Sequence, residues 1–183
     1  MRVLSLTALT VVTLGLISAP TLIFAQEPPP SQFEHIQGLE PFVGVWRAGV
    51  QGEGEVPMIL SCRLTTNRSY LRLQLSTPTD SGPQTIGTML IGRDFANDQV
   101  SVWGFWGDNQ AHGKVKVGEG TASWTATGVR NDGAKSTENL AIKVDGDKLT
   151  IDLTDIKYGD DAPPDMHFTF TRSQQRFGRR GGQ

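Results

Sequence analysis

The chain has 183 residues, with 17 basic and 19 acidic side chains and a formal net charge of −2. This length corresponds to about one domain, and a composition of 37% hydrophobic residues with 21 glycines is that of a globular chain. It excludes a disordered acidic polymer, a coiled coil and a protein with many membrane spans. The last twelve residues hold four arginines and no acid, whereas residues 3–171 hold twelve basic against nineteen acidic residues. Because an acidic body repels phosphate backbones, we expect no nucleic-acid partner.

The first 25 residues have the pattern of a cleaved export signal. Arg2 forms a short positive region, residues 3–17 form an apolar run, and Ala25 is the small residue expected before the cut. We therefore expect residues 1–25 to be a signal peptide, and the protein to be secreted or periplasmic after bacterial export. No membrane span is expected to remain after cleavage. An uncleaved N-terminal anchor is the alternative interpretation.

Residues 26–38 are expected to be a linker followed by a short helix. Three prolines after Glu27 stiffen the linker. Ser31 and Glu34 have the spacing of a capping box, and Gly38 is a suitable helix stop. At the other end of the chain, residues 173–183 are expected to be a disordered basic tail.

From residue 44 onward, short apolar segments alternate with turn residues. The pattern predicts ten strands, at residues 44–50, 56–64, 69–76, 84–95, 99–106, 112–117, 121–129, 136–144, 148–156 and 166–172. Many short strands at even spacing predict an all-β fold, as an antiparallel sandwich or barrel.

One predicted hairpin allows its register to be proposed. Asp145-Gly146 suits a two-residue type I′ turn, which would pair Val144 with Asp147. All the large apolar residues of the two strands then share one face, whereas a slip of one residue would scramble the faces.

The same register places two acids, Glu138 and Asp155, on the apolar face near the open end of the hairpin. A carboxylate in that position needs water, a cation or a proton. The two acids are therefore candidates for the polar mouth of a pocket, with solvated rim residues as the alternative.

Few residues suggest metal or nucleophilic chemistry. Cys62 is the only cysteine, so an internal disulfide is excluded, and its apolar neighbours favour a buried thiol. His35, His112 and His167 are not at ligand spacing from one another or from the cysteine. We expect no metal and no cofactor, with weak calcium binding in the acidic loop at residues 155–165 as the alternative.

Aromatic residues provide the best indication of a ligand. Trp103 and Phe105 share one face of a predicted strand, Trp106 lies on the other face, and Trp124 lies on a nearby strand. Trp103, Phe105 and Trp124 could line an apolar cavity. The alternative is ordinary core packing, since small barrels fill their interiors with side chains.

The two ends of the strand region resemble the lipocalin-like (calycin) barrels. Gly44-Val45-Trp46 opens the first strand and Arg172 closes the last. The resemblance implies an up-and-down barrel of about 8–10 strands over residues 39–172, with Arg172 lying over Trp46 as a structural pair. Such a cation–π contact contributes roughly 0.5–2 kcal/mol.

Shorter motifs between these ends are similar to those of secreted bacterial proteins of the DUF1579 type. They are Val102-Trp103-Gly104-Phe105, Gly118-x-Gly120-x-x-x-Trp124 and Asn131-Asp132-Gly133. This resemblance covers roughly residues 40–172 and implies a fold more than an activity.

The related nitrobindin-like barrels bind haem, and they share the Gly-x-Trp start of the first strand. Here Ala48 interrupts the longer glycine pattern of that group. His167 is late enough in the chain to be a haem ligand, but it alternates with Phe168 and Phe170 and would point outward if they point inward. Haem binding is therefore the weaker alternative.

The sequence favours non-catalytic binding of a small apolar or amphipathic molecule inside a barrel. Trp103, Phe105 and Trp124 would supply the apolar contacts, and Glu138 with Tyr70 or Arg72 the polar ones. One alternative is an enzyme acting on a small hydrophobic substrate through Glu138 or Asp155. Another is a structural interaction module of the cell envelope. The oligomeric state does not follow from the sequence.

Overall fold

The computed structural model describes residues 31–48 and 56–173. Over these residues the chain forms a closed antiparallel barrel in which consecutive strands are neighbours and the first strand also pairs with the last. The strands are β1 Gly44–Ala48, β2 Met58–Leu64, β3 Tyr70–Thr79, β4 Gly82–Asp94, β5 Gln99–Trp106, β6 Asn109–Gly118, β7 Thr121–Arg130, β8 Lys135–Asp145, β9 Lys148–Tyr158 and β10 Met166–Arg172. The all-β, up-and-down barrel expected from the sequence is thereby confirmed.

Several expectations fall on parts of the chain outside the described residues. These are the signal peptide at residues 1–25, the proline-rich linker up to residue 30, and the tail beyond residue 173. None of the helices within 31–48 and 56–173 is long and apolar enough to cross a membrane.

The β8–β9 hairpin has the predicted faces but not the predicted pairs. Asp145 pairs with Lys148 and Val144 with Leu149, so the turn residues are Gly146 and Asp147 and the prediction was wrong by two residues. Gly146 has a φ of 59°, as the first central residue of a type II′ turn does. A shift of two preserves every side-chain direction, and the apolar residues therefore still share one face.

A β-bulge in β9 overturns the expectation for Asp155. Between the pairs Thr137↔Lys157 and Asn139↔Thr154, one residue of β8 faces two residues of β9. Asp155 has a φ of 52° at this point and is exposed on the outer face, whereas Ile156 is buried. Because the extra residue reverses the alternation, Asp155 and Lys157 turn outward while Ile156 and Tyr158 turn inward.

The predicted short N-terminal helix is present as two consecutive 3-10 segments, Phe33–His35 and Gln37–Phe42. Gly38 therefore lies within the second segment and does not end the helix. The apolar residues recur every three positions, and a 3-10 helix with three residues per turn places such residues on one side. The fully buried residues on that side are Ile36, Leu39 and Phe42.

These two segments form a plug that closes one end of the barrel. The backbone N–H of Gly120, in the turn between β6 and β7, donates a hydrogen bond of 2.9 Å to the carbonyl of Gly38. A Cβ atom on Gly38 would lie 2.7 Å from the carbonyl oxygen of Gly118. This close approach requires glycine and fixes the plug against the barrel wall.

Trp46 and Arg172 join the plug to the seam between β1 and β10, where they are direct partners. The guanidinium carbon of Arg172 lies 4.0 Å from the centre of the Trp46 ring system. Its two terminal nitrogens donate hydrogen bonds of 2.9 Å to the carbonyls of Val43 and Pro41. The Trp46 indole N–H donates to the carbonyl of Phe42 at 2.7 Å. Arg172 therefore lies over Trp46, as the resemblance implied, and both side chains also donate hydrogen bonds to backbone carbonyls at residues 41–43.

Cys62 lies in β2 and is fully buried, as the sequence indicated. Burial raises the pKa of its thiol to about 12, with the positive charge of Arg172 acting weakly in the opposite direction. The residue is therefore a core thiol and not a nucleophile at neutral pH.

We expect Arg172→Lys to lower the free energy of unfolding by about 1–2 kcal/mol, because one ammonium group cannot span two carbonyls and cover the indole as a guanidinium does. Urea denaturation followed by tryptophan fluorescence measures the loss. Arg63→Lys, on the exposed face of β2, is the matched control and should change stability by less than about 0.5 kcal/mol. Equal stability of the two variants would contradict the role assigned to Arg172.

Candidate functional site

The barrel interior is filled at one end and hollow at the other. The plug residues and Trp46 are fully buried at the closed end. Beyond them, a cavity of about 500 Å³ extends to the opposite end. Ile86 and Met166, which line this cavity, are 42% and 38% exposed and mark its open side. A volume of this size is typical of a small-molecule site.

The wall of the cavity is mainly apolar. The apolar lining residues come from β2 to β5 and from β8 to β10: Met58, Leu60, Leu75, Ile86, Met89, Trp106, Leu140, Ile151, Leu153, Met166, Phe168 and Phe170. The polar lining residues come from β6 to β9 and the turn before β6: Asp108, Asn109, Arg130, Glu138 and Tyr158. A ligand in this cavity would contact hydrocarbon on most of its surface and polar groups along one side.

Glu138 is the acid that faces the apolar interior. It follows the inward alternation of β8, between the buried residues Ser136 and Leu140, and lies opposite the bulge in β9. Burial raises the pKa of its carboxyl above the ordinary value for glutamate. It has no salt bridge within the portion of the chain that the structure describes.

Tyr158 lies close enough to interact electrostatically with Glu138. Burial is the main reason that the pKa of its phenol is raised, and the negative charge of Glu138 adds to the effect, while Arg130 opposes it. Tyr158 reaches the interior because the bulge reverses the direction of the residues that follow Asp155. The bulge therefore brings a phenol and a carboxylate to the same side of the cavity.

Arg130 is held by acids at the end of β7. One of its terminal nitrogens lies 3.5 Å from Asp108 and 3.7 Å from Asp132. Its Nε atom is inaccessible to solvent and has no hydrogen-bond partner among the described residues. This arginine therefore forms salt bridges with two aspartates near the open end of the cavity.

The structure places two of the three predicted aromatic ligand contacts outside the barrel. Phe105 is 48% exposed, and Trp103 packs at 6.3 Å from Tyr70 and 5.6 Å from His112, measured between ring centres. These residues are therefore on the outer face and do not line the cavity. Both faces of β5 are apolar, and the alternation alone could not show which of them faces inward.

Trp124 points inward but lies in the filled core, away from the cavity lining. The predicted polar partners are also displaced: Arg72 is exposed on the outer face of β3, and Tyr70 makes an edge-to-face contact with Trp103. The predicted group is therefore not brought together, and only Glu138 of its members lines the cavity.

Trp106, Phe168 and Phe170 are lining aromatics that the sequence analysis did not select as ligand contacts, and the position of Trp106 has a local cause. It pairs with Gly87 of β4, where a Cβ atom would lie 1.8 Å from the indole Cε3. The missing side chain leaves the space into which the ring packs. A glycine within a long apolar strand signals space for a side chain from the neighbouring strand. Only the sheet register shows that the Trp106 ring fills this space.

The observed positions of Asp155 and His167 bear on two alternative functions, catalysis by an acid and haem binding. Asp155 accepts a hydrogen bond of 2.7 Å from the Asn139 side chain on the outer face, so of the two candidate catalytic acids only Glu138 faces the cavity. His167 also points outward and contacts Asp152, as its alternation with Phe168 indicated. No group of histidine, cysteine and acidic side chains in the described ranges is arranged to hold a metal ion.

Comparison with models of known protein families finds no match. A search of curated proteins likewise finds no significant relative.

We expect Glu138→Gln to raise the melting temperature at about pH 7 and to have little effect at about pH 4. A raised pKa means that the folded state holds the proton to higher pH than the unfolded chain, so the ionised carboxylate destabilises the fold at neutral pH. This destabilisation disappears as the pH falls below the unfolded value.

Circular dichroism melting curves across this pH range measure the difference. Asp160→Asn removes the same charge from an exposed position and should show no such trend. A stabilisation of Glu138→Gln that grows on acidification would contradict the assignment.

Proposed function

We propose that this protein binds a small amphipathic molecule, with the apolar part inside the barrel and the polar part at the side formed by Asp108, Asn109, Arg130, Glu138 and Tyr158. The observation that carries the proposal is the cavity of about 500 Å³. A barrel that served only as a structural module would gain stability by filling this space, since empty apolar volume reduces stability.

The closed end supports a binding role. Trp46 and the plug block the interior at one end, so a ligand enters and leaves from the other. The polar side chains belong to one sector of the wall, and this asymmetry orients a molecule that has one polar end.

Binding of Nile red, a neutral apolar dye, tests the proposal. We expect its fluorescence to increase on addition of the protein, and Leu153→Trp to weaken binding by about tenfold, because the larger side chain occupies cavity volume. Phe105→Ala is the control, since this residue lies on the outer face. Melting curves show that each variant is folded.

Absence of Nile red binding to the native protein would overturn the proposal. It would also fail if Phe105→Ala abolished binding while a folded Leu153→Trp variant did not weaken it. That result would assign the ligand to the outer aromatic surface.

We also propose that the protein is exported and related to the lipocalin-like barrels, including the DUF1579 type. The apolar run at residues 3–17 supports export, and the contact between Arg172 and Trp46 supports the relationship.

Expression of the full chain in a bacterium should give a mature protein beginning near Gln26 in the periplasm or medium, as measured by intact mass. A chain lacking residues 2–25 should remain in the cytoplasm. An uncleaved full-length product would contradict cleavage.

A further inference from the structure

We propose that the ligand carries a cationic head, such as a primary amine on an apolar chain, and that the Glu138 carboxylate is its counter-ion. This inference rests on the proposed function, because it names the class of molecule that the same cavity would hold. It depends on the arrangement of charges around the cavity and not on any resemblance.

Glu138 faces a largely apolar space and forms no salt bridge with any of the described residues. Its nearest lining neighbours along its own strand and the next are Leu140, Leu153 and Tyr158. A carboxylate in such surroundings loses hydration and is stabilised when an opposite charge joins it. The bulge opposite Glu138 keeps Asp155 on the outer face, so one carboxylate and not two faces inward at this position.

Arg130, the cation in this part of the cavity lining, already forms salt bridges with other acids. Arg130 is the only basic residue in the cavity lining that the structure describes, and its salt bridges go to Asp108 and Asp132. Its Nε atom is covered and therefore inaccessible to a ligand. Among the lining residues, Asp108 and Arg130 balance each other in charge, and Glu138 makes the net charge of the lining negative.

The segment between β1 and β2 adds no positive charge. Residues 49–55 lie outside the described residues, but their sequence contains two glutamates and no lysine or arginine. This segment therefore cannot supply a counter-ion to Glu138.

The charge of Glu138 favours a cationic head group of the ligand over an anionic or a neutral one. An anionic head would place like charges together, and an alcohol would satisfy one hydrogen bond but leave the charge unpaired. A primary ammonium provides three donors and a positive charge, which suits a carboxylate that shares the cavity lining with the Tyr158 hydroxyl and the Asn109 side chain. Charge-assisted hydrogen bonds of this kind are the stronger ones.

Displacement of Nile red by decylamine, decanol and decanoate at neutral pH tests the inference, since the three share one apolar chain. We expect decylamine to bind about tenfold more tightly than decanol, and decanoate to bind least. Glu138→Gln should remove the preference for the amine while changing decanol binding less than about threefold. Asp160→Asn, which removes an exposed negative charge, should retain the preference and so exclude a general effect of net charge.

The possible failures are distinguishable. If Nile red binds and all three competitors displace it equally, or if decanoate is preferred, the cationic head is wrong while the proposed function stands. Retention of the amine preference in a folded Glu138→Gln variant would likewise overturn the role of Glu138. If Nile red does not bind at all, the proposed function itself fails.

Discussion

Closure of the barrel depends on a short seam, and the Arg172 guanidinium is the group that reinforces it. β1 has five residues and pairs with β10 through two residue pairs, fewer than any other neighbouring strands share. The guanidinium covers the Trp46 ring and bonds two carbonyls of the plug segment. Seam, plug and closed end are therefore one connected unit. Because that end is sealed, the hollow space must open at the other, and this determines where a ligand could enter.

The bulge in β9 is the second local feature with consequences for the whole site. A regular strand would point Asp155 inward beside Glu138 and would turn Ile156 and Tyr158 toward solvent. The extra residue reverses this arrangement, which leaves one acid in the cavity and adds a phenol beside it. An inward carboxylate without a partner destabilises the fold, and such exceptions to consistent packing are typical of functional positions.

Local patterns predicted the elements well and their partners less well. The ten strands and the shared apolar face of the β8–β9 hairpin follow from alternation, because neighbouring side chains in a strand point to opposite sides. The predicted register of that hairpin differs from the observed one by two residues. A shift of two leaves the alternation unchanged, so only the turn geometry distinguishes the two registers. The spacing of three between Ile36, Leu39 and Phe42 was available as a signal for a 3-10 helix and accounts for the plug.

The sequence alone determined that the chain is an all-β protein and indicated the burial of Cys62. The resemblance to lipocalin-like barrels implied the pair of Trp46 and Arg172, and alternation made Glu138 a candidate for the inner face. Which face of β5 lines the interior was decided only by the tertiary structure. Trp103 and Phe105 alternate with Val102 and Trp106, and both sets are apolar, so periodicity separates the faces without assigning either to the inside. That assignment comes from closure of the sheet and from Gly87, which admits the Trp106 ring across the strand pair. The division of the interior into a filled core and a cavity likewise depends on packing between residues far apart in the chain.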